Sequence, residues 1–233
     1  MPEQAPYGRG CVIVPAYQEE RRIGPVVGRI REFIRDVVVV DDGSTDGTAR
    51  EAEAAGAVVI RHDVNRGKGG ALNTGFAYAR AHGFDHVITM DGDGQHDPAD
   101  IPRFVETYAR TGTPVLVGNR MSDVRAMPWI RRLTNRFMSW LLSREMGQMV
   151  PDTQCGYRLF RCQLIPEAPA QSARFAAESE ILLQLSRKAV PIGAVPVATI
   201  YRDEKSKINP FRDTLRFFSM LHRYRRCLRS ETD

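Results

Sequence analysis

Two carboxylates one residue apart, Asp91 and Asp93, follow the apolar run Val87-Ile88-Thr89-Met90 and precede Gln95-His96-Asp97-Pro98. At the end of a strand such a pair presents hard oxygen ligands, the chemistry by which Mg2+ or Mn2+ bridges a protein to a diphosphate. Gly92 and Gly94 let the backbone turn tightly beside a ligand. A polar turn between strand and helix is the plainer reading of the same residues. An EF-hand loop is excluded: counted from Asp91, the sixth position is His96 rather than Gly and the twelfth is Pro102 rather than Glu.

Three more clusters carry chemistry. Asn65-Arg66-Gly67-Lys68-Gly69-Gly70 opens a helical pattern, and glycines with a lysine at a helix start suit a phosphate. It is not a Walker A loop, because Gly69 follows Lys68 where Ser or Thr is required. Asp41-Asp42-Gly43-Ser44 follows the run Val37 to Val40, and Tyr17-Gln18-Glu19 follows Cys11 to Pro15.

The elements that must position these groups alternate. Apolar runs at 11–15, 37–40, 57–60 and 87–90 read as strands. Between them lie helical patterns: Ile23, Val26, Val27, Ile30 and Phe33/Ile34; then roughly Asp46 to Ala55, capped by Ser44 or Asp46; then Leu72, Phe76 and Ala79. This alternation predicts an α/β fold, a mostly parallel sheet with helices on both faces and ligands at the carboxyl ends of its strands. The strand ends carry Tyr17/Glu19, Asp41/Asp42, the His62–Asn65 loop and Asp91/Asp93, four polar loops that would converge on that edge. Further along, Pro98 to Arg110 reads as a helix that Asp97 caps, Pro114 to Gly118 as a strand, Asp152 to Arg158 as leading into another strand, and Phe175 to Lys188 as a loop and helix. Val190 to Thr199 reads as a strand whose prolines place it at an edge.

Composition sets the class. The 233 residues are 42% hydrophobic and 26% charged with a net charge of +5, an ordinary globular balance with room for one large α/β domain. The mild basicity suits an anionic ligand or surface, and no nucleic-acid-binding motif is present. Four cysteines without C-x-x-C spacing predict a reduced protein rather than a disulfide scaffold or zinc site. No run is long enough to span a bilayer and the N-terminus is not signal-like, so a cytoplasmic protein is expected, with peripheral attachment to the membrane face left open.

Seven stretches together resemble the family 2 glycosyltransferases, most closely the polyprenol-phosphate (dolichol-phosphate type) mannosyl- and glucosyltransferase branch. They are IVPAYQE (13–19), VVDDGSTDGT (39–48), NRGKGGA (65–71), MDGDGQHD (90–97), DTQCGYRLF (152–160), FAAESE (175–180) and RDEKSK (202–207). Gln18 stands where the family usually has Asn. The resemblance implies a GT-A fold, a Rossmann-like nucleotide-diphospho-sugar transferase, over residues 1–208. It implies an inverting hexosyltransferase taking a GDP- or UDP-sugar. Pro15, Ala16, Tyr17, Glu19 and Asp42 would contact the nucleoside, Asp41 would shape that pocket, and Lys68 would sit near the donor. Asp91 and Asp93, joined by Gly92, would hold Mg2+ or Mn2+ on the diphosphate, with Gln95 beside them.

The acceptor decides what else is required. A polyprenyl phosphate is already ionised at neutral pH and needs no general base, so positioning and electrostatics suffice. Arg120, Arg125, Arg202, Lys205 and Lys207 are its candidate clamps, Arg202 and Lys207 most directly. A saccharide or other hydroxyl acceptor needs a base, and Asp152, Glu178 and Glu180 are then the candidates. A non-catalytic nucleotide-sugar-binding protein is a third reading, disfavoured by the intact Asp91/Asp93 pair. A homo-oligomer is compatible with the sequence.

Two amphipathic segments are left over. Trp129 to Arg144 places Trp129, Leu133, Phe137 and Trp140 on one side and is expected to pack on the core, with a membrane surface as the alternative. Residues 209–233 form a basic amphipathic appendage. Its Phe211, Leu215, Phe218, Leu221 and Leu228, widened by Phe217 and Tyr224, are expected at an anionic membrane interface, with packing on the domain or a second subunit as the alternative.

Overall fold

In the computed structural model the described residues are 8–124, 127–167, 175–198, 200, 217–222, 224 and 225. Arg125, Arg202, Lys205 and Lys207, and residues 209–216 of the proposed C-terminal helix, lie outside them.

Seven strands make one sheet: β1 (Gly10–Ala16), β2 (Val37–Asp41), β3 (Val58–Arg61), β4 (His86–Thr89), β5 (Val115–Asn119), β6 (Arg158–Arg161) and β7 (Ile192–Pro196), in the order β3-β2-β1-β4-β6-β5-β7. β1, β2, β3 and β4 are mutually parallel, as the alternating pattern predicts. β1 and β2 are covered on both faces, which is why they read as continuous β-branched runs rather than alternating ones. β6 runs antiparallel between β4 and β5. β7 pairs with β5 alone, so its Pro196 sits on an edge where no ladder donor is lost.

Among the described residues the sheet is accompanied by the helices α1 (Glu20–Ile30), α2 (Thr48–Ala54), α3 (Gly67–Ala81), α4 (Ile101–Thr111), α5 (Trp129–Met146) and α6 (Phe175–Arg187), besides the helical stretch 217–222. α1 buries Ile23, Val26, Val27 and Ile30 as expected but ends at Ile30, so Phe33 and Ile34 fall beyond it, Phe33 exposed and Ile34 partly buried. α2 begins later than expected. Gly47 is its N-cap, Asp46 accepts from the Thr48 amide at 3.1 Å, and Ser44 is diverted to the Gln18 amide at 3.0 Å. The turn Pro98–Asp100 leads into α4, with the Asp97 carboxylate accepting from the Ala99 amide at 3.0 Å. Phe76 of α3 meets Phe160 of β6 edge-on at 5.7 Å, joining helix to sheet at the centre of the core.

The two leftover amphipathic segments are placed opposite to expectation. α5 turns Met138, Leu142 and Met146 inward, together with Ser139 and Ser143, and leaves Trp129, Leu133, Phe137 and Trp140 exposed. Its core-facing residues are the less bulky set, so reading the aromatic stripe as the buried face is corrected. In the helical stretch 217–222, Phe217, Met220 and Leu221 are buried in the main core, and Tyr224 packs against it. The described part of that segment is therefore packed on the domain rather than held off it.

Candidate active site

The parallel register brings the carboxyl ends of β1 and β2 level, with Ala16 opposite Asp41 and Asp41 opposite Arg61 of β3. Beyond β1 the chain turns through Gln18 at φ 58°, the left-handed region that a residue with a long side chain seldom occupies. The turn is pinned by the Gln18 amide donating to Ser44 and the Glu19 amide donating to Thr48 Oγ1 at 2.9 Å. Glu19 is buried and pairs with Arg22 at 2.7 Å, Ala16 is buried, Pro15 is half-buried, and Tyr17 is left 46% exposed at the mouth. Asp41 accepts from the Ser44 amide at 3.0 Å and has Arg61 Nε at 3.4 Å from its other oxygen. Asp42 Oδ1 accepts from the Arg66 amide at 2.8 Å and lies 2.7 Å from His62 Nδ1; His62 Nε2 lies 2.9 Å from Thr74 Oγ1. His62 thus ties Asp42 to α3 from behind, a positioning role that its place in a loop after β3 did not reveal.

A second cluster lies beyond β4. The Lys68 ammonium, on the first turn of α3, bonds Asp91 Oδ1 and stands 3.1 Å from Glu178 Oε1, while His96 Nε2 is 3.5 Å from Asp91 Oδ2. Burial works to raise the Asp91 carboxyl, but the Lys68 and His96 charges outweigh it and hold it well below the usual carboxylate range. For Lys68 burial acts downward and is outweighed by Asp91 and Glu178, so it stays firmly charged. Asp93 is pushed up, by burial first and the neighbouring Asp91 charge second. Gln95 follows, its amide donating to Asp93 Oδ1 at 3.0 Å. Gly156 forms the floor: a Cβ there would stand 2.8 Å from Lys68 Nζ, 2.9 Å from Glu178 Oε1 and 3.0 Å from Asp91 Oδ2. A side chain at this position would displace the charged ends of Lys68, Glu178 and Asp91.

The carboxylates named as possible bases divide. Asp152 is fully buried and gripped by Arg120, Nε to Oδ2 at 2.7 Å and Nη2 to Oδ1 at 2.9 Å. One contact engages both a candidate base and a candidate phosphate clamp. Glu178 joins the Lys68 cluster, and Glu180, two residues on and so on another face of α6, is half-buried. Arg158, also fully buried, donates to the carbonyls of Cys155, Glu178 and Thr153 at 2.8, 2.6 and 2.7 Å. It locks the 152–158 segment to the start of α6; the DTQCGYRLF stretch contains it, but the sequence assigned it no role.

Asp91 and Asp93 suit a hard divalent cation. They are hard oxygen donors one residue apart, and Asp93, pushed up by burial and by the Asp91 charge, is the less compensated of the two. No group of three His, Cys, Asp or Glu side chains among the described residues is arranged to hold an ion alone. A cation here would need phosphate oxygens to complete its shell, the usual habit of Mg2+ at nucleotide sites.

Residues 11–168 match the family model described as Glycosyl transferase family 2. The chain belongs to glycosyltransferase family 2. The match covers the first cluster, the second except Glu178, and the strands from Cys11 of β1 to the end of β6. This glycosyltransferase is 31% identical over 215 residues to the UDP-N-acetylglucosamine–dolichyl-phosphate N-acetylglucosaminyltransferase of Methanococcus voltae, spanning 82% of this chain and 86% of that one. It is 30% identical over 209 residues to the undecaprenyl-phosphate mannosyltransferase of Micrococcus luteus, spanning 84% and 85%. Among solved structures it resembles glucosyl-3-phosphoglycerate synthase from Mycobacterium tuberculosis in complex with Mn2+, UDP and phosphoglyceric acid. The TM-score there is 0.68 at 23% identity, over 85% of this chain and 72% of that one, a likeness of fold. The glycosyltransferase therefore has the GT-A architecture, within the branch whose named members act on polyprenol phosphates.

Proposed function

We propose that this enzyme moves a hexose, with inversion, from a nucleotide-diphospho-sugar to a polyprenyl phosphate at the cytoplasmic face of a membrane. The observation that carries the acceptor assignment is the pairing of carboxylates with cations. Asp152 is held by Arg120, and Glu178 and Asp91 share Lys68. A hydroxyl acceptor needs a free base to take its proton, whereas a phosphate acceptor arrives ionised. The two relatives, named for transfer to dolichyl phosphate and to undecaprenyl phosphate, support the same acceptor class.

In this reading Pro15, Ala16, Tyr17, Glu19 and Asp42 receive the nucleoside, with Asp41 shaping the pocket and His62 holding Asp42 in place. Asp91 and Asp93 hold Mg2+ or Mn2+ on the diphosphate. Such an ion, when bound, neutralises the charge that develops on the leaving group. Lys68, at the N-terminus of α3 where anions are favoured, offers a second positive charge to the same diphosphate. Arg125, Arg202, Lys205 and Lys207 are assigned to the acceptor phosphate. Arg120 is withdrawn from that set because its guanidinium already serves Asp152.

The test is a panel of UDP- and GDP-hexoses offered to the full-length protein with polyprenyl phosphate or with saccharide acceptors, with Mn2+ or with EDTA. The expected result is metal-dependent formation of a glycosyl phospholipid. Transfer to saccharide hydroxyls alone would overturn the acceptor assignment, and full turnover in EDTA would overturn the metal.

A further inference from the structure

α5 carries apolar residues on two faces. The inner face belongs to the core; the outer one has Trp129, Ile130, Leu133, Phe137 and Trp140 at 72, 57, 64, 49 and 51% exposure. At 100° per residue these five fall within one stripe about a quarter of the helix circumference wide. Phe137 and Trp140 touch, with ring centroids 6.1 Å apart. Single exposed apolar side chains are ordinary, but a contiguous aromatic stripe marks a contact surface.

Charge identifies the partner. Arg132 and Arg136, both exposed, run along one edge of the stripe, and Arg144 stands at its C-terminal end with its guanidinium 6.0 Å from the Trp140 ring centroid. The helix has four arginines and one acidic residue, Glu145, which Arg225 pairs with at 3.2 Å. A basic border around an apolar stripe is complementary to anionic lipid headgroups over acyl chains. Tryptophan near both ends of the stripe suits the interface, where an apolar ring and a polar N–H are both accommodated. Packing two copies through the same stripe would instead bring like-charged edges together.

Position points the same way. Ser139, on the inner side of α5, accepts from the Thr153 amide at 2.9 Å. Thr153 opens the turn that leads to Gly156, the floor beneath Lys68, Asp91 and Glu178. The outer stripe therefore lies one helix diameter from the segment that walls the site.

We propose that the outer stripe of α5 is a membrane-docking surface that lays the enzyme on an anionic bilayer. The stripe is argued from its own chemistry; only the idea that docking delivers the acceptor rests on the lipid-phosphate reading given above. Trp129 and Trp140 are the only tryptophans in the chain, so intrinsic fluorescence reports on this stripe and nothing else.

The experiment mixes full-length protein with vesicles of phosphatidylcholine alone, or with about one third phosphatidylglycerol, and reads tryptophan emission and co-sedimentation. The expected result is a blue shift and sedimentation with the anionic vesicles only, weakened about tenfold or more in 0.5 M salt. The variant Leu133→Ser/Phe137→Ser changes exposed residues and should keep its circular dichroism and melting temperature while losing vesicle binding about tenfold or more. It should also keep its turnover on a detergent-dispersed acceptor and lose it on a vesicle-embedded one. Unshifted emission with anionic vesicles, or equal sedimentation of the variant, would overturn the proposal. So would a concentration-dependent dimer that the variant disperses, because the stripe would then be a self-interface. Vesicle binding without transfer to any polyprenyl phosphate would overturn the acceptor reading and leave the docking surface standing.

Discussion

At the scale of single residues, Asp91 and Asp93 look alike in sequence and differ in the fold. The Asp91 carboxyl is held below its ordinary value, so its contribution to stability is present above the unfolded-state pKa and is lost as pH falls through the folded value. Asp93 has the opposite sign: its folded pKa is raised, so its ionised form weakens the fold above that value. In metal-free protein at neutral pH, Asp91→Asn is expected to lower the melting temperature and Asp93→Asn to raise it, while both lose transfer by about 100-fold or more. Shifts of the same sign in calorimetry would contradict this account of the cluster. Gln18 is a second residue-scale case. Its left-handed backbone explains why an Asn suits that position, since Asn visits this region more readily. Gln18→Asn should stabilise the protein by about 1 kcal/mol, or roughly 3 °C in a thermal melt, with transfer retained. A lower melting temperature would show that the hydrogen bond the Gln18 side-chain Nε2 donates to Thr45 Oγ1, at 2.8 Å, matters more than the backbone.

At the scale of elements, the pairing of Arg120 with Asp152 joins the turn after β5 to the loop before β6. Removing either partner alone leaves a charge in a largely dry site, at a cost of about 3–5 kcal/mol, whereas Arg120→Met with Asp152→Leu should recover much of it. A double-mutant cycle in urea reads the coupling directly, and additive single losses would argue against the pair. The C-terminal helical stretch makes a simpler case. Leu221→Ala is expected to cost about 2–3 kcal/mol, because Leu221 belongs to the core rather than to a surface; a neutral substitution would contradict that packing. These two elements also show where sequence reasoning stops. Periodicity in α5 and in the 217–225 segment marks an apolar stripe but not what covers it. The partner of a stripe is decided by which other surfaces the chain folds against it. α1, α3 and the first four strands were legible because each alternates with its neighbour in a repeating pattern. β6 was legible as a strand, but its antiparallel insertion between β4 and β5 depends on long-range pairing that no local signal encodes. The Asp91/Asp93 pair and Lys68 stood out through their spacing. The roles of His62 and Arg158 were not legible, although both lie in marked stretches, since each acts through a partner distant in sequence: Asp42 for one, the Glu178 carbonyl for the other.

At the scale of the whole molecule, the core encloses every described cysteine. Burial is the main reason that the thiol of Cys155 is pushed up to about 12 and that of Cys162 to about 11, and it raises Cys11 as well. None is a thiolate near neutrality. In a Cys227→Ser variant, native protein at pH 8 is expected to show no thiol reactive toward a disulfide reagent, and three after unfolding in guanidinium. A rapidly reacting thiol in the native variant would mean that the sheet opens locally around it.

The place of β6 has a consequence for synthesis on the ribosome. β5 pairs only with β6 and β7, both made after it, while β1 to β4 complete their own pairings in the order in which they emerge. β5 ends at Asn119 and β6 begins at Arg158. At about 5–20 residues per second, a few seconds pass in which β5 has no strand to join. The newly made aromatic helix that follows it is then exposed on both its faces, so the nascent chain is at its stickiest just before its sheet closes.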